Sequence, residues 1–507
     1  MTASFFEVML EDEAATQRLG NDLAIAVQSG DVLALKGDLG AGKSTLARAL
    51  IRALADDAAL EVPSPTFTLV QSYEARLTVH HFDLYRLSHE DELDELGFDD
   101  AIADGVVLIE WPEQAGDRLP DTAILIELDH DGEGRRARIC GTGATMERTM
   151  ERIGRSLAIR AFLGGTGWAG ARRRYLTGDA SARSYEKVEL EGLPERILMN
   201  SPPLVMGPPV RDGKPYAEIA HTAQTVSAFV AIDQILREAG FCAPEIYAQD
   251  LDAGLLLIED LGDVGVLDAD RNPIGERYIA AAQLLAASHD RQWPNKIEVA
   301  PGVVHEIPSF DREAMLIEVD LLLDWYVPAV TGKPASDHLR SRYRQEWNAA
   351  FDRIKGGQAT LMQRDYHSPN LIWRAERHSH DRLGLIDFQD ALIGPPAYDL
   401  ASLAMDARAT VPVDVEQAIV AAYLAARHEA GSFDEAVFLE NYAVMAAQRN
   451  SKILGIFVRL DRRDGKPGYL KHLPRIRDYL RRALAHPALF RLHALYEEQG
   501  FLKEQPL

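Results

Sequence analysis

Up to residue 145 the chain alternates between two hydrophobic periods. DVLALKG (31–37) reads as a short buried strand and KSTLARALIRALA (43–55) as a helix with apolar residues at helical spacing. RLTVHHFDLYR (76–86) and GVVLIEW (105–111) read as further strands. Strands alternating with helices predict a mostly parallel sheet with helices on its faces. AILIELDHDGEGRRARICG (123–141) reads as a hairpin turning at HDGEG and closing an α/β unit. The pattern then shifts to an arginine-rich stretch containing the breaker cluster GGTGWAG (164–170). Beyond it, YLTGDASARSYEKVEL onward is strand-rich with one helix over 220–240, and long amphipathic helices follow. The organisation expected is an α/β domain over 1–147, a linker over 148–172, and a bilobal α+β domain over 173–507. Its small mixed lobe would cover about 173–262 and its helical lobe 263–507.

GDLGAGKS (37–44) fits G-x-x-x-x-G-K-[ST], with an apolar strand before it and a helix starting inside it. Glycines let successive backbone N–H groups turn toward phosphates, and the helix N-terminus adds partial positive charge. The candidate nucleotide-binding residues are Gly37, Asp38, Gly40, Ala41, Gly42, Lys43, Ser44 and Thr45, with Lys43 reaching the β- and γ-phosphates and the Ser44 hydroxyl on Mg²⁺. Hydrolysis also needs acids beside the metal and the attacking water. Asp83 closes TVHHFD and Glu110 closes VVLIE, so both lie where strands end. His80 and His81 are adjacent on a strand, so their side chains point to opposite faces and do not form a metal pair. They are expected to be ordinary core or surface histidines.

A second constellation lies in the C-terminal half. In RDYHSPN, Asp365 and Asn370 are five residues apart, and LGLIDFQD places Asp387 at the end of an apolar strand. Phosphoryl transfer to a hydroxyl needs a carboxylate to accept its proton and oxygen ligands to hold Mg²⁺ on the donor phosphates. Asp365 suits the base, and Asn370 and Asp387 suit the metal. ATP and Mg²⁺ are thus expected at both places.

Composition narrows the classes further. The 507 residues exceed one hydrophobic core, and no apolar run approaches the roughly 20 residues that a membrane helix needs. The start MTASFFEVMLEDEAATQ lacks the basic residues of a secretory signal, so a cytoplasmic location is expected. Cys140 and Cys242 are too few for a disulfide framework. The net charge of −24 is concentrated early: residues 1–150 hold 12 Lys+Arg against 29 Asp+Glu. Such a surface repels phosphodiester backbones and argues against direct high-affinity RNA binding by this half. SHEDELDELGFDDAIAD (88–104), with eight acids, is either a solvated face or a docking face for a basic protein.

GDLGAGKST, SPTFTLV, HHFDLYR and LIEWPE, in that order, resemble the TsaE family, small ATPases of bacterial tRNA threonylcarbamoyladenosine synthesis, over about residues 5–140. The resemblance implies a P-loop NTPase fold with Thr66 in a switch-like segment, Asp83 in the Mg²⁺ shell, Glu110 at the catalytic end and Trp111 at the nucleotide pocket's edge. It also implies TsaB-like and TsaD-like partners. GDASARSY, LLLIEDLG, RDYHSPN and GPPAYDLASL resemble the aminoglycoside phosphotransferase or choline-kinase-like family over roughly 170–450, and within it most resemble kinases of N-acetylmuramate and N-acetylglucosamine. That implies a protein-kinase-like fold with Asp179 and Ser181 in a loop over the phosphates, Glu259 at the hinge facing adenine, His367 two after the base, and Asp399 buttressing the catalytic loop. Gln363 stands where the family usually has histidine. The expected third small-lobe strand, ERILMNSPP, offers no lysine, so Lys187 or Arg183 would substitute. The expected whole is a bifunctional enzyme, an ATPase for tRNA modification fused to an amino-sugar kinase. The alternatives are a nucleotide-binding pseudokinase scaffold, or a kinase of another small alcohol such as an aminoglycoside or choline-like substrate.

Overall fold

In the computed structural model, residues 5–141, 147–176, 183–354 and 357–504 are described. The chain divides into two compact units, Met1–Asp179 with Ser184–Asn200, and Ala180–Arg183 with Ser201–Leu507.

The first unit is built on a seven-stranded sheet. Its strands are β1 (Phe5–Leu10), β2 (Val32–Lys36), β3 (Val70–Tyr73), β4 (Val79–Asp83), β5 (Val106–Glu110), β6 (Ile124–Asp131) and β7 (Gly134–Cys140), in spatial order β1-β7-β6-β2-β5-β4-β3. The four central strands run parallel, and antiparallel partners flank them on both sides. β2 and β5 pair through apolar residues except at Leu35, which lies opposite Glu110, and the paired residues are almost fully buried. Helices α1 (Glu13–Ala26) and α2 (Lys43–Ala55) pack on one face, crossing so closely at Gly20 that a Cβ there would lie 2.7 Å from that of Ala49. The acidic stretch forms two short helices, α3 (Glu92–Glu95) and α4 (Phe98–Asp104), broken at Gly97 with φ 70°. Leu93, Phe98 and Ala101 anchor them in the core while most of their acids face solvent.

The stretch expected as a linker is instead a helix, α5 (Glu147–Gly165). Its arginines pair with acids of the α/β unit: Arg152 with Asp31 at 2.6 Å and Arg160 with Asp22 at 2.7 Å. GGTGWAG does end it. Three antiparallel strands follow, β8 (Arg172–Leu176), β9 (Ser184–Glu189) and β10 (Arg196–Asn200), and they belong to this first unit and not to the second. The reason is Arg173. Its guanidinium is 1% exposed and sits between Asp22 of α1, at 2.7 Å, and Glu186 of β9, also at 2.7 Å. Asn21 of α1 exchanges both amide hydrogen bonds with the Arg173 backbone, at 2.8 and 2.9 Å.

The second unit is mostly helical. Its 28-residue helix Glu435–Arg462 is buried along most of its length, and at Gly455 it meets the backbone of Leu321 so closely that a Cβ would lie 2.3 Å from it. Helices Gly275–His289, Arg312–Leu321, Ala397–Ala404 and Val413–Ala430 accompany it. Hairpin Ile246–Asp250/Leu255–Glu259 carries the expected hinge. A hairpin over Lys296–Ala300/Val303–Glu306 and strand β1 were not read from periodicity, although Pro301–Gly302, with Gly302 at φ 76°, is a turn signal. Two further hairpins, Thr360–Met362/Leu392–Gly394 and Leu371–Trp373/Leu383–Leu385, are nested, the second inserted within the first. Among the described residues no helix is long and apolar enough to cross a membrane, and both cysteines are free thiols.

Removing one partner from a buried ion network leaves a charge with neither water nor counter-ion. Arg173→Ala is therefore expected to destabilise the first unit by about 3–5 kcal/mol, whereas the same change at the solvent-facing neighbour Arg172 costs about 1 kcal/mol or less. Thermal unfolding of the two variants, followed side by side, checks this.

Candidate functional site

Two separate sites emerge, one in each unit. In the first, β2 delivers the chain into a loop that only glycine accommodates at three places: Gly37, Gly40 and Gly42 have φ of 149°, 82° and 107°. A Cβ on Gly37 would also lie 2.4 Å from the Leu128 carbonyl oxygen. Asp38, Ala41 and Thr45 complete the loop and the first turn of α2, so its N–H groups are gathered at one end of the sheet. Lys43 is 5% exposed; its ammonium donates to the carbonyls of Gly37 and Asp38 at 2.6 and 3.0 Å and lies 3.7 Å from the centroid of the Trp111 ring. Burial pulls its pKa down, and Glu110, Glu113, Asp83 and Asp38 pull it partly back.

Asp83 and Glu110 are register partners at the ends of parallel strands β4 and β5. The Ser44 hydroxyl donates to Glu110 at 2.9 Å. One Asp83 oxygen accepts from Ser64 and Thr66 at 2.6 and 2.8 Å, and the other from the Tyr85 N–H at 3.1 Å. Trp111, in the left-handed region at φ 61°, packs on Tyr85 with ring centroids 5.1 Å apart. A hydroxyl and two carboxylates, all at strand or helix ends, suit Mg²⁺, which takes few protein oxygens and keeps the rest for phosphates and water. His80 turns away, onto Ser72 at 2.8 Å. His81 does not behave as a mere filler: it is 1% exposed and its Nε2 lies 3.0 Å from Glu110, while its Nδ1 is buried with no partner among the described residues.

In the second unit the nested hairpins do the assembling. Asp365 and Asn370 lie on the turn into strand Leu371–Trp373, and Asp387 lies just past its partner strand. The Asn370 amide donates to the Asp365 carbonyl at 2.9 Å and reaches Asp387 at 3.5 Å. Asp387, at φ 59°, accepts from Gln389 at 2.9 Å and from Arg183 at 3.2 Å. Burial raises its pKa to about 6; Arg183 opposes the rise while Asp365 and Asp390 add to it. A carboxylate so desolvated, beside the Asn370 amide and a second acid, is a fit for a divalent cation.

Asp365 keeps 36% of its side chain exposed. Its immediate desolvation would raise its pKa, but Arg449 at 3.7 Å, then His367 at 3.8 Å, Lys452 and Arg364 together bring it down to about 2. The loop itself hangs on Asp399, which is fully buried and accepts from the consecutive N–H groups of Gln363 and Arg364 at 2.6 and 2.8 Å. Gln363 is thus held through its backbone, while its amide nitrogen is buried without a partner among the described residues. Arg449 donates to the Arg364 carbonyl at 2.9 Å. The Arg364 guanidinium pairs with the buried Glu318, which also takes Lys452 at 2.6 Å and Gln448 at 2.8 Å. Arg449, Lys452 and Glu318 were not singled out in the sequence. Tandem polar positions in an otherwise apolar helix, QRNSK (448–452), were the available signal.

Of the two cations that could replace the absent lysine, Lys187 is engaged with Glu195 at 2.5 Å and Arg183 with Asp387. Glu259 has its N–H on the Glu245 carbonyl at 2.8 Å, and its carboxylate accepts from the Glu245 N–H at 3.2 Å and lies 3.6 Å from Arg374. Asp179 and Ser181 lie outside the described residues.

Residues 10–138 match the model of the family described as threonylcarbamoyl adenosine biosynthesis protein TsaE, and residues 173–433 that of the phosphotransferase enzyme family. An N-acetylmuramate/N-acetylglucosamine kinase of Caulobacter vibrioides is 36% identical over 68% of this chain and 96% of its own length. Another of that name from Pseudomonas aeruginosa is 31% identical over 61% of this chain and 82% of its own. A tRNA threonylcarbamoyladenosine biosynthesis protein TsaE of Rickettsia conorii is 38% identical over 26% of this chain and 74% of its own. The chain therefore belongs to two families at once, joining a TsaE-family ATPase to an enzyme of the phosphotransferase family.

Proposed function

We propose that the N-terminal half hydrolyses ATP in support of tRNA threonylcarbamoyladenosine formation, and that the C-terminal half phosphorylates the anomeric hydroxyl of N-acetylmuramate or N-acetylglucosamine. The convergence of Asp365, Asn370 and Asp387 carries the second reading, together with the names of the relatives that align over most of their length. A scaffold that only bound nucleotide would have no use for a base and two metal ligands in one place.

In the kinase half, Asn370 and Asp387 would hold Mg²⁺, which neutralises charge on the donor phosphates when bound. Arg183 beside Asp387 adds the cation that the third strand lacks. The anomeric oxygen attacks the γ-phosphorus, a new P–O bond forms, the bond to the β-phosphate oxygen breaks and ADP leaves with that electron pair. The hydroxyl proton passes to Asp365. With a pKa of about 2, Asp365 is a weak base, which suits a loose transition state in which the proton moves late.

In the ATPase half, Lys43 would exchange the Gly37 and Asp38 carbonyls for phosphate oxygens. Ser44, Asp83 and Glu110 would hold Mg²⁺ and position water, with His81 fixing the Glu110 carboxylate. A segment with 12 basic against 29 acidic residues over 1–150 points to protein partners, the TsaB-like and TsaD-like components, for contact with tRNA.

Two ATP-dependent activities should separate. Lys43→Ala is expected to abolish hydrolysis while sugar phosphorylation persists. Asp365→Ala is expected to cost about 10²–10⁴-fold in phosphotransfer with hydrolysis intact. Coupled ADP release and phosphosugar formation from N-acetylmuramate, N-acetylglucosamine and an aminoglycoside decide the case, and no phosphosugar above background removes the kinase reading. Replacing Arg449 by Met withdraws the nearest cation from Asp365, so the carboxylate loses stabilisation and its pKa rises. The acid limb of the phosphotransfer pH profile should move upward by about 1 unit or more.

A further inference from the structure

Helices α1 and α2, Ala58 and residues Gly170–Arg172 line an open cavity of about 420 Å³ on the first unit, outside the P-loop. That is the scale of a site for a small molecule. Its wall carries four guanidinium groups, those of Arg18, Arg48, Arg52 and Arg172, and a single carboxylate, Glu13. This inverts the charge of its surroundings, since residues 1–150 are strongly acidic.

The four arginines are not equally engaged. Arg172 pairs with Asp56 at 2.9 Å, and Arg18 approaches Asp12 only to 4.0 Å. Arg48 and Arg52, one helical turn apart on α2, each use only Nε, on the carbonyls of Val62 at 3.3 Å and Leu60 at 2.9 Å. Among the described residues neither has a carboxylate partner, so two forks of N–H donors on one helix face stand beside the cavity with their charge uncompensated. Paired guanidinium forks match the oxygens of a phosphate. Glu13, already accepting from the Gln17 amide at 3.3 Å, and Gln17 itself add the polar groups that hydroxyls would meet.

We propose that this cavity binds a small phosphorylated sugar, the class of compound that the kinase half would release; the choice of sugar rests on that reading, while the cavity does not. The volume exceeds what inorganic phosphate fills, and the acidic field around the cavity disfavours a polyanion such as RNA. Thr45 lines the cavity immediately after Ser44, so an occupant would sit against the first turn of the P-loop helix.

The test is equilibrium titration of the full chain with N-acetylglucosamine 1-phosphate. Wild type is expected to bind one equivalent more than Arg48→Ala/Arg52→Ala, or to bind that equivalent at least roughly tenfold more tightly, about 1.4 kcal/mol. Unphosphorylated N-acetylglucosamine should not compete for it. Because both arginines also hold backbone carbonyls, Ala58→Glu serves as a second variant: the exposed Ala58 lines the cavity, and a carboxylate there should likewise expel the ligand. Equal stoichiometry and affinity in wild type and both variants overturns the proposal. If the equivalent is lost in the variants although no amino sugar is phosphorylated, the cavity stands and the kinase reading falls. If sugar is phosphorylated but no equivalent is lost, the reverse holds.

Discussion

The kinase-like site depends on one buried carboxylate. Asp399 takes the N–H groups of Gln363 and Arg364 on its two oxygens, and so dictates where the chain turns before Asp365. That turn puts Arg364 at φ 70°, a region that costs a non-glycine residue about 1–3 kcal/mol. The strain persists because the residue is held at three points: its N–H by Asp399, its carbonyl by Arg449, its guanidinium by Glu318. Each charge-assisted bond contributes about 1.5–3 kcal/mol, so the clamp outweighs the distortion. The product of this over-determination is an Asp365 whose direction is fixed before any ligand arrives.

The two sites answer one demand with different backbones. Each needs oxygen donors close enough to share a cation, and therefore close enough to repel one another when none is bound. In the first unit the ends of adjacent parallel strands bring Asp83 and Glu110 side by side, and Ser44, Ser64, Thr66 and His81 quench them. In the second, nested antiparallel hairpins bring Asp365 and Asp387 together; Arg449 quenches Asp365, and Arg183 and the Asn370 amide quench Asp387. At Asp387 burial, with Asp365 and Asp390 adding to it, outweighs the quenching, and its pKa is raised to about 6.

What could be read from the sequence was whatever the backbone forces on residue type. Glycines at 37, 40 and 42 are legible because all three sit at positive φ, and the acids at 83 and 110 because each closes a strand, the one before Glu110 being wholly apolar. What could not be read was pairing across long separations. Period-two alternation says that His80 and His81 face opposite ways, but not that Glu110 waits on one side, 29 residues on. Arg449 meets Arg364 across 85 residues. The arginines after residue 147 looked like a charged linker for the same reason: their acids, Asp22 and Asp31, lie more than a hundred residues back.

Those pairings bear on how independent the halves are. Chemistry divides cleanly, since the P-loop and the Asp365 loop share no residue. Folding does not divide at the same place. Asp22 and Asn21 belong to α1, which packs on the P-loop helix, yet they also fix Arg173 on β8, the strand that begins the match to the phosphotransferase family. Cutting the chain near residue 150 would leave the Arg173 guanidinium one of its two carboxylates and bare the α1 face of β8. Desolvating a charge that has lost half its compensation is among the costlier things a fold can do. The fusion therefore has a physical content beyond tethering: the ATPase domain supplies part of the core on which the first strands of the kinase-family segment are laid.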